Sequence, residues 1–344
     1  MASPDIDLIR SRPSPTCCLC GKQGQPLYQG TKDWLYNIPG EWNFSSCPDP
    51  DCGLLWLDPM PLAEDIGKAY KTYFTHRQST GPRNRFIQFV KAGYLAGKYG
   101  YSRNEIGRLQ KACGLIAYLA LFRRTGLDHL VAFLSALPRG RLLDLGCGDG
   151  QLLEFMQNQG WQAEGLDFDP AAIENATRRG LWANVGTLQS KCYPDNSFEA
   201  IVMSHFVEHI HEPLQLLREC HRILTPGGRL LILTPNAASW GHRKFARCWR
   251  GLEPPRHLHL FSPPSLRRLL TLAGFKEMAV TTTMRNAGKI LRLSRSIQNS
   301  YRRSAGTTVP AGSAAAAGIL QMVEWFKWKR DPNLGEEIDL VAEK

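Results

Sequence analysis

The segment LLDLGCGDG, Leu142 to Gly150, restricts the fold of this chain more than any other stretch. An apolar run of strand length ends in a carboxylate. Three glycines at alternate positions, Gly146, Gly148 and Gly150, then lead into the amphipathic QLLEFMQNQG. Glycine is needed where the backbone turns through positive φ, or where a ligand must approach without a Cβ in the way. Strand, tight turn and helix in immediate succession predict one unit of a parallel α/β sheet. A strand-to-helix turn with no ligand has the same signature, and Gln151 stands where a dinucleotide fold carries its third glycine.

From Arg139 the pattern repeats. Strands are expected at 141–145, 162–167, 182–187, 199–204, 228–234 and 276–283, with a last one in GEEIDLVAEK. Amphipathic helices fall between them, among them PLQLLRECHRIL and SPPSLRRLLTLAGF. The second strand ends at Asp167, in GLDFDP. A carboxylate there, about 20 residues beyond the glycine turn, can accept hydrogen bonds from a ribose diol. Asp169, before Pro170, better fits the alternative role of helix N-cap.

LLDLGCGDG, GLDFDP and LTPGGRLLILTPN, with this order of strands, resemble class I S-adenosylmethionine (SAM)-dependent methyltransferases over Arg139 to Lys344. The resemblance implies a doubly wound, seven-stranded Rossmann-like sheet. It also implies that Asp144 and the loop of Gly146, Cys147, Gly148 and Gly150 hold the methionine end of SAM, and that Asp167 holds the ribose. Phe168 and Leu188 would flank the adenine, and Ser204, at the end of the fourth strand, completes the set. Many relatives place an acid after strand three to meet the adenine amino group; here Gln189 stands in that region.

The exit of the fourth strand reads SHFVEHIHEP and contains H-x-x-E-H as His205, Glu208 and His209. As a bare pattern this is an inverted zinc-peptidase signature. Such a site needs both histidines on one helix and a third ligand elsewhere, which nothing in the sequence demands. Methyltransferases of the type above carry a similar run at this point. The reading preferred from the sequence is therefore that His205 lines the pocket beside SAM, while Glu208 and His209 satisfy local backbone or each other.

Five of the ten cysteines, Cys17, Cys18, Cys20, Cys47 and Cys52, crowd the N-terminal stretch. Cys17-x-x-Cys20 and Cys47-x4-Cys52, in turn-rich contexts, can place four thiolates around one Zn2+. Either Cys17 or Cys18 could supply the first ligand. Four thiolates leave no open position, so the expected zinc is structural. A zinc-ribbon-like segment ahead of this core resembles a bacterial subgroup associated with polysaccharide and lipopolysaccharide biosynthesis.

In RGLEPPRHLHLFSPPSL, His257 and His259 alternate with leucines and would share one face of an extended segment. Methyl transfer to oxygen or carbon needs a proton acceptor, and histidine titrates in the right range. The candidate bases are His257, His259 and His205. The alternative is that the two histidines of this segment hydrogen-bond a proline-rich loop. Glu253 and Arg256 are candidates for binding substrate hydroxyls or phosphate.

The linear organisation expected is a zinc-ribbon-like module over 1–60, a helical region over 61–137 and a methyltransferase domain over 138–344. Residues 284–334 form an insertion within the last, as a cap or surface helices. MASPDIDLIRSRPSP has no apolar core of a secretory signal, so a cytoplasmic location is expected. The formal net charge of +11 is concentrated in HRKFARCWR and in arginines and lysines of the insertion. That charge fits either a solvated face or an anionic partner, including the inner face of a membrane. The function expected is SAM-dependent methyl transfer to oxygen or carbon of a small-molecule or glycan-type acceptor. The rival readings are an RNA methyltransferase and a non-catalytic SAM-binding module. Nucleic acid is disfavoured because no [DN]PP[YF] run follows the fourth strand, and the sequence is silent on oligomeric state.

Overall fold

The computed structural model describes residues 8–70, 85–101, 114, 127–129, 131–135, 139–307 and 314–344. Much of the helical zone expected over 61–137, including most of the apolar run Cys113 to Phe122, lies outside the described residues. Two compact units share the chain. The first is drawn from Met1–Tyr73, His205–Leu217 and Leu233–Leu340, the second from Phe74–Ser204, Arg218–Ile232 and Val341–Lys344.

The N-terminal strands are short because proline and glycine interrupt them. They are β1 (Ser11–Arg12), β2 (Gln25–Thr31), β3 (Trp42–Ser46), β4 (Leu55–Leu57) and β5 (Met60–Pro61). β2 pairs antiparallel with β3, with register shifts on either side of Tyr28, and β3 pairs antiparallel with β4. Phe44, Trp56 and Leu57 are buried. Helix α1 (Arg85–Tyr99) belongs to the second unit. The hydroxyls of Tyr94 and Tyr99 and the ammonium of Lys98 all donate to Asp128 Oδ1, at 2.6, 2.8 and 2.8 Å. A buried carboxylate is stable in such a place only when its lone pairs are taken up this way.

The alternation expected beyond Arg139 is present. It runs β6 (Arg141–Leu145), α2 (Gln151–Asn158), β7 (Gln162–Asp167), α3 (Pro170–Arg178), β8 (Ala183–Val185), the short α4 (Leu188–Lys191), β9 (Phe198–Ser204), α5 (Pro213–Ile223) and β10 (Leu224–Pro235). β6 and β7 coincide with the expected bounds. β10 starts at Leu224 rather than Gly228, running through LTPGG although Gly227 has φ +75°. The chain continues through α6 (Trp240–Phe245), β11 (His259–Leu260), α7 (Pro263–Ala273), β12 (Lys276–Thr283), α8 (Ala287–Ser304), α9 (Ala314–Arg330) and β13 (Glu337–Glu343).

Seven strands form one sheet in the order β12-β13-β10-β9-β6-β7-β8, with β6 parallel to both β7 and β9 and β7 parallel to β8. Burial on both faces explains why β6 reads as a nearly unbroken apolar run. Leu142, Leu153, Met156, Ala163, Ile173, Ala176 and Val202 belong to one core cluster of the second unit. Each fully buried leucine there contributes roughly 1.5–3 kcal/mol. The loop after β6 opens between β6's two neighbours, β7 and β9, the switch point at which open α/β sheets bind ligands.

β11 does not belong to that sheet. It pairs antiparallel with β4, His259 opposite Trp56 and Leu260 opposite Leu55, giving the order β11-β4-β3-β2. Ser262 Oγ donates to the Cys52 carbonyl at 2.9 Å, and Leu57 N donates to the Leu258 carbonyl at 3.0 Å. Within the first unit, the cysteine-rich strands and the segment 257–262 are therefore one sheet.

Candidate functional site

In the second unit, β6 ends at Leu145 and the chain turns back through Gly146, Gly148 and Gly150, whose φ values are +77°, +53° and +79°. Gly150 caps α2 in the left-handed region, and a Cβ there would stand 2.6 Å from Leu181 Cδ1. A Cβ at Gly148 would meet nothing within 4 Å, so the space beside that residue is open. The side chain of Cys147 turns inward instead: it is buried, and a Cβ at Gly165 would touch its Sγ. Cys147 thus offers this loop its backbone and not its thiol.

Asp167, at the end of β7, is fixed by two main-chain donors. Gly148 N reaches Oδ2 at 2.8 Å and Asp169 N reaches Oδ1 at 2.9 Å. Each oxygen keeps a second lone pair for a ligand hydroxyl. Asp169 caps α3 through Ala171 N, the role the sequence assigned to it. Burial raises the Asp167 carboxyl above its ordinary range. Burial, then the nearby Asp167 charge, raises Asp144 to about 7. Phe168 is 44% exposed, whereas Leu188 is buried at the start of α4, and Ser204 is exposed at the end of β9.

The histidines lie in the first unit. His205 directly follows β9 with φ +53°, a left-handed conformation that is strained for a side-chain-bearing residue. Its Nδ1 is 3.4 Å from Glu208 Oε1 and its Nε2 3.4 Å from Glu337 Oε1. Burial disfavours the charged ring, but the two carboxylates prevail and raise its pKa to about 10. A histidine that is already protonated at neutral pH does not accept the acceptor's proton, which corrects the expectation of His205 as a base.

His257 and His259 do not share an open face. His257 lies ahead of β11 and His259 within it, and both are buried. Their Nδ1 atoms sit 2.7 Å from the Gly251 carbonyl and 3.1 Å from the Ile210 carbonyl. Burial lowers both to about 4. They hold loops together, as the alternative reading had it. Arg256 is likewise internal: its guanidinium donates to Glu253, the Ala69 carbonyl and Asp33, and lies over the Tyr36 ring. Neither Arg256 nor Glu253 is left to bind a substrate phosphate.

Cys17, Cys20, Cys47 and Cys52 come together with their sulfurs all within 4.8 Å of one another. Cys17 and Cys52 are 3.8 Å apart and Cys20 and Cys47 3.4 Å. A tetrahedron of thiolates around zinc at 2.3 Å has edges of about 3.8 Å, so the donor set and its spacing fit the ion. Cys18 is exposed and stands outside the group, which leaves Cys17 as the first ligand of the set.

Residues 119–280 match the family model described as a methyltransferase domain. The chain is similar to a ubiquinone biosynthesis O-methyltransferase of Xanthomonas campestris pv. campestris, 35% identical over 117 residues, covering 32% of this chain and 48% of that protein. It is also similar to a probable S-adenosylmethionine-dependent methyltransferase of Mycolicibacterium smegmatis, 28% identical over 137 residues, covering 39% and 51%. The chain spans about half the length of the curated relatives it matches. Among solved structures it resembles a SAM-dependent methyltransferase from Archaeoglobus fulgidus, at 20% identity and TM-score 0.43, covering 76% of this chain and all of that one.

By the family match, a methyltransferase domain lies within residues 119–280. Its glycine loop fits the cofactor physically: positive φ at three positions, open space at Gly148, and a carboxylate pre-set on two amides. What sequence reasoning missed in this chain is Glu337, which partners His205 from β13, and Asp33, which partners Arg256. Neither carries a local pattern that would single it out.

Proposed function

We propose that this protein is a methyltransferase that transfers the methyl group of SAM to an oxygen of a small hydroxylated or glycan-type acceptor. The arrangement at Asp167 carries the reading, because a carboxylate held by Gly148 N and Asp169 N is pre-organised to receive a ribose diol. SAM, when bound, supplies an electrophilic methyl on a sulfonium centre. Asp144 and the backbone of 146–150 would hold its methionine end, and Phe168 and Leu188 would flank its adenine. The protein's main contribution to rate is alignment, which can supply roughly 7–11 kcal/mol of a barrier.

Oxygen is favoured as the methylated atom because the Xanthomonas relative, 35% identical over 117 residues, is named an O-methyltransferase. The test is turnover of labelled SAM with two acceptor panels, catechols and phenolic quinol precursors in one, nucleotide-linked sugars and lipid-linked glycans in the other. Label transferred to an acceptor oxygen supports the proposal. SAM binding without turnover on any acceptor would return the non-catalytic reading.

We also infer a structural Zn2+ on Cys17, Cys20, Cys47 and Cys52. Its role follows from the sheet described above, since it would fix the turns that flank β3 and β4. Peripheral membrane contact is supported by α9, where Met322, Val323 and Phe326 are 63%, 39% and 58% exposed beside Lys327 and Arg330. On α8, which packs against α9, Lys289, Arg292 and Arg295 are exposed. Among the described residues no helix is long and apolar enough to cross a membrane. Co-sedimentation with anionic liposomes at low salt, lost in Phe326→Glu, is the expected outcome.

A further inference from the structure

Glu208, His209 and His257 bring one potential ligand atom each to within 4.8 Å of one another. The hydrogen bonds around them decide what those atoms are. His257 Nδ1 is 2.7 Å from the Gly251 carbonyl, and His209 Nδ1 is 2.9 Å from both the Arg256 carbonyl and the Tyr70 hydroxyl. A carbonyl only accepts, and the Tyr70 hydroxyl can accept too, so both Nδ1 atoms are placed to donate and Nε2 is the nitrogen each ring has left for a metal. Glu208 is fully buried. Its Oε2 accepts from Thr234 Oγ1 at 3.0 Å, while Oε1 is a buried acceptor with no hydrogen bond. His205 Nδ1 stands 3.4 Å from it, beyond the usual range of about 2.7–3.2 Å. Glu253 Oε2 lies 3.5 Å from His257 Nε2 but is already paired with the Arg250 guanidinium.

The charge of His205 faces Glu208 at 3.4 Å, yet Oε1 has no hydrogen bond, so it and the two ring nitrogens are available as donor atoms for one ion. Both histidines also show the supporting pattern of metal ligands, the second ring nitrogen donating to a main-chain carbonyl and fixing ring and tautomer. We propose that Glu208, His209 and His257 form a second metal site, distinct from the four cysteines, which takes a divalent transition ion of the zinc or ferrous type. Two imidazoles and one carboxylate select such ions over magnesium or calcium, which prefer all-oxygen shells. Three protein ligands leave at least one position open to water or to an oxygen of a bound molecule. His209, the half-buried member, marks the side from which an ion enters.

The full-length protein, stripped with a chelator and titrated with Co2+, tests this directly. Four thiolates give intense sulfur-to-cobalt charge-transfer bands, and a nitrogen–oxygen site gives only weak ligand-field bands. The expected result is two spectroscopically distinct equivalents. Glu208→Gln and His257→Gln weaken the sulfur-free site at least about tenfold and leave the thiolate bands unchanged; Cys47→Ser does the reverse. If Glu208→Gln fails to fold, His209→Gln gives the same readout from a half-buried position. Zinc and ferrous ion, each competed against bound cobalt, identify the preferred metal. Wild-type protein that binds cobalt only with thiolate bands, or a sulfur-free equivalent untouched by these substitutions, overturns the assignment.

Discussion

Asp167→Asn is the most informative single change in the cofactor site. It is nearly isosteric and keeps one carbonyl oxygen, but it replaces the other acceptor by an amide that donates. In the wild type each oxygen already accepts one main-chain N–H, from Gly148 and from Asp169. The variant has one oxygen for two amides and two ribose hydroxyls. It therefore loses at least one charge-assisted hydrogen bond to the ligand, worth about 1.5–3 kcal/mol. That corresponds to SAM binding weaker by roughly 10- to 150-fold. Asp167→Ala, which loses both, is expected to fall by roughly 10²- to 10⁴-fold. Isothermal titration with SAM and with its demethylated product measures both, with thermal unfolding as the control for folding. Folded Asp167→Asn that binds within threefold of wild type would refute the assignment of Asp167 to the ribose.

The two loop glycines should separate stability from binding. Gly148→Ala, strained at φ +53° but unobstructed, is expected to cost about 1–2 kcal/mol of stability and to weaken SAM binding strongly. Gly150→Ala adds the clash with Leu181 and should be the less stable of the two in urea unfolding, by about 1 kcal/mol or more. Cys47→Ser is expected to abolish thiolate-bound zinc and lower the unfolding temperature, read by metal analysis and calorimetry. Glu324, fully buried on α9, has its pKa raised by burial and by Glu336, itself a buried acid whose pKa burial raises. The folded state then binds more protons than the unfolded one, so stability falls as pH rises above the ordinary glutamate range. Glu324→Gln should flatten that decline and be more stable than wild type at alkaline pH in denaturant titrations; an unchanged slope would count against the buried pair.

The cofactor half was legible because its signals are local. Leu142 to Gly150 declares strand, turn and helix within one stretch, and Asp167 ends a strand whose register the apolar pattern fixes. The same locality made His205 and Glu208 readable as neighbours but not Glu337, which reaches His205 from the far end of the chain. The alternation of His257 and His259 with leucines is a sound rule for a strand of some length. It fails here because only His259 and Leu260 are paired, and His257 still belongs to the preceding turn. The basic runs are mostly exposed, but two of their members are not free charges: Arg250 and Arg285 pair with Glu253 and Glu337. Charge read along a sequence does not reveal which carboxylate will fold against it.

The pairing of β4 with β11 sets a timetable for the chain. β2, β3 and β4 leave the ribosome early, yet the strand that covers the free edge of β4 is made some two hundred residues later. At synthesis rates of about 5–20 residues per second that gap is roughly 10–40 s. Throughout it Leu55, Trp56 and Leu57 stand at an uncovered edge, the kind that pairs with other chains. Ions captured by the cysteines during that interval would hold the turns beside β4 in place while the edge waits. Production of this protein in metal-starved cells should thus yield aggregate formed during synthesis, even where the finished protein tolerates a chelator.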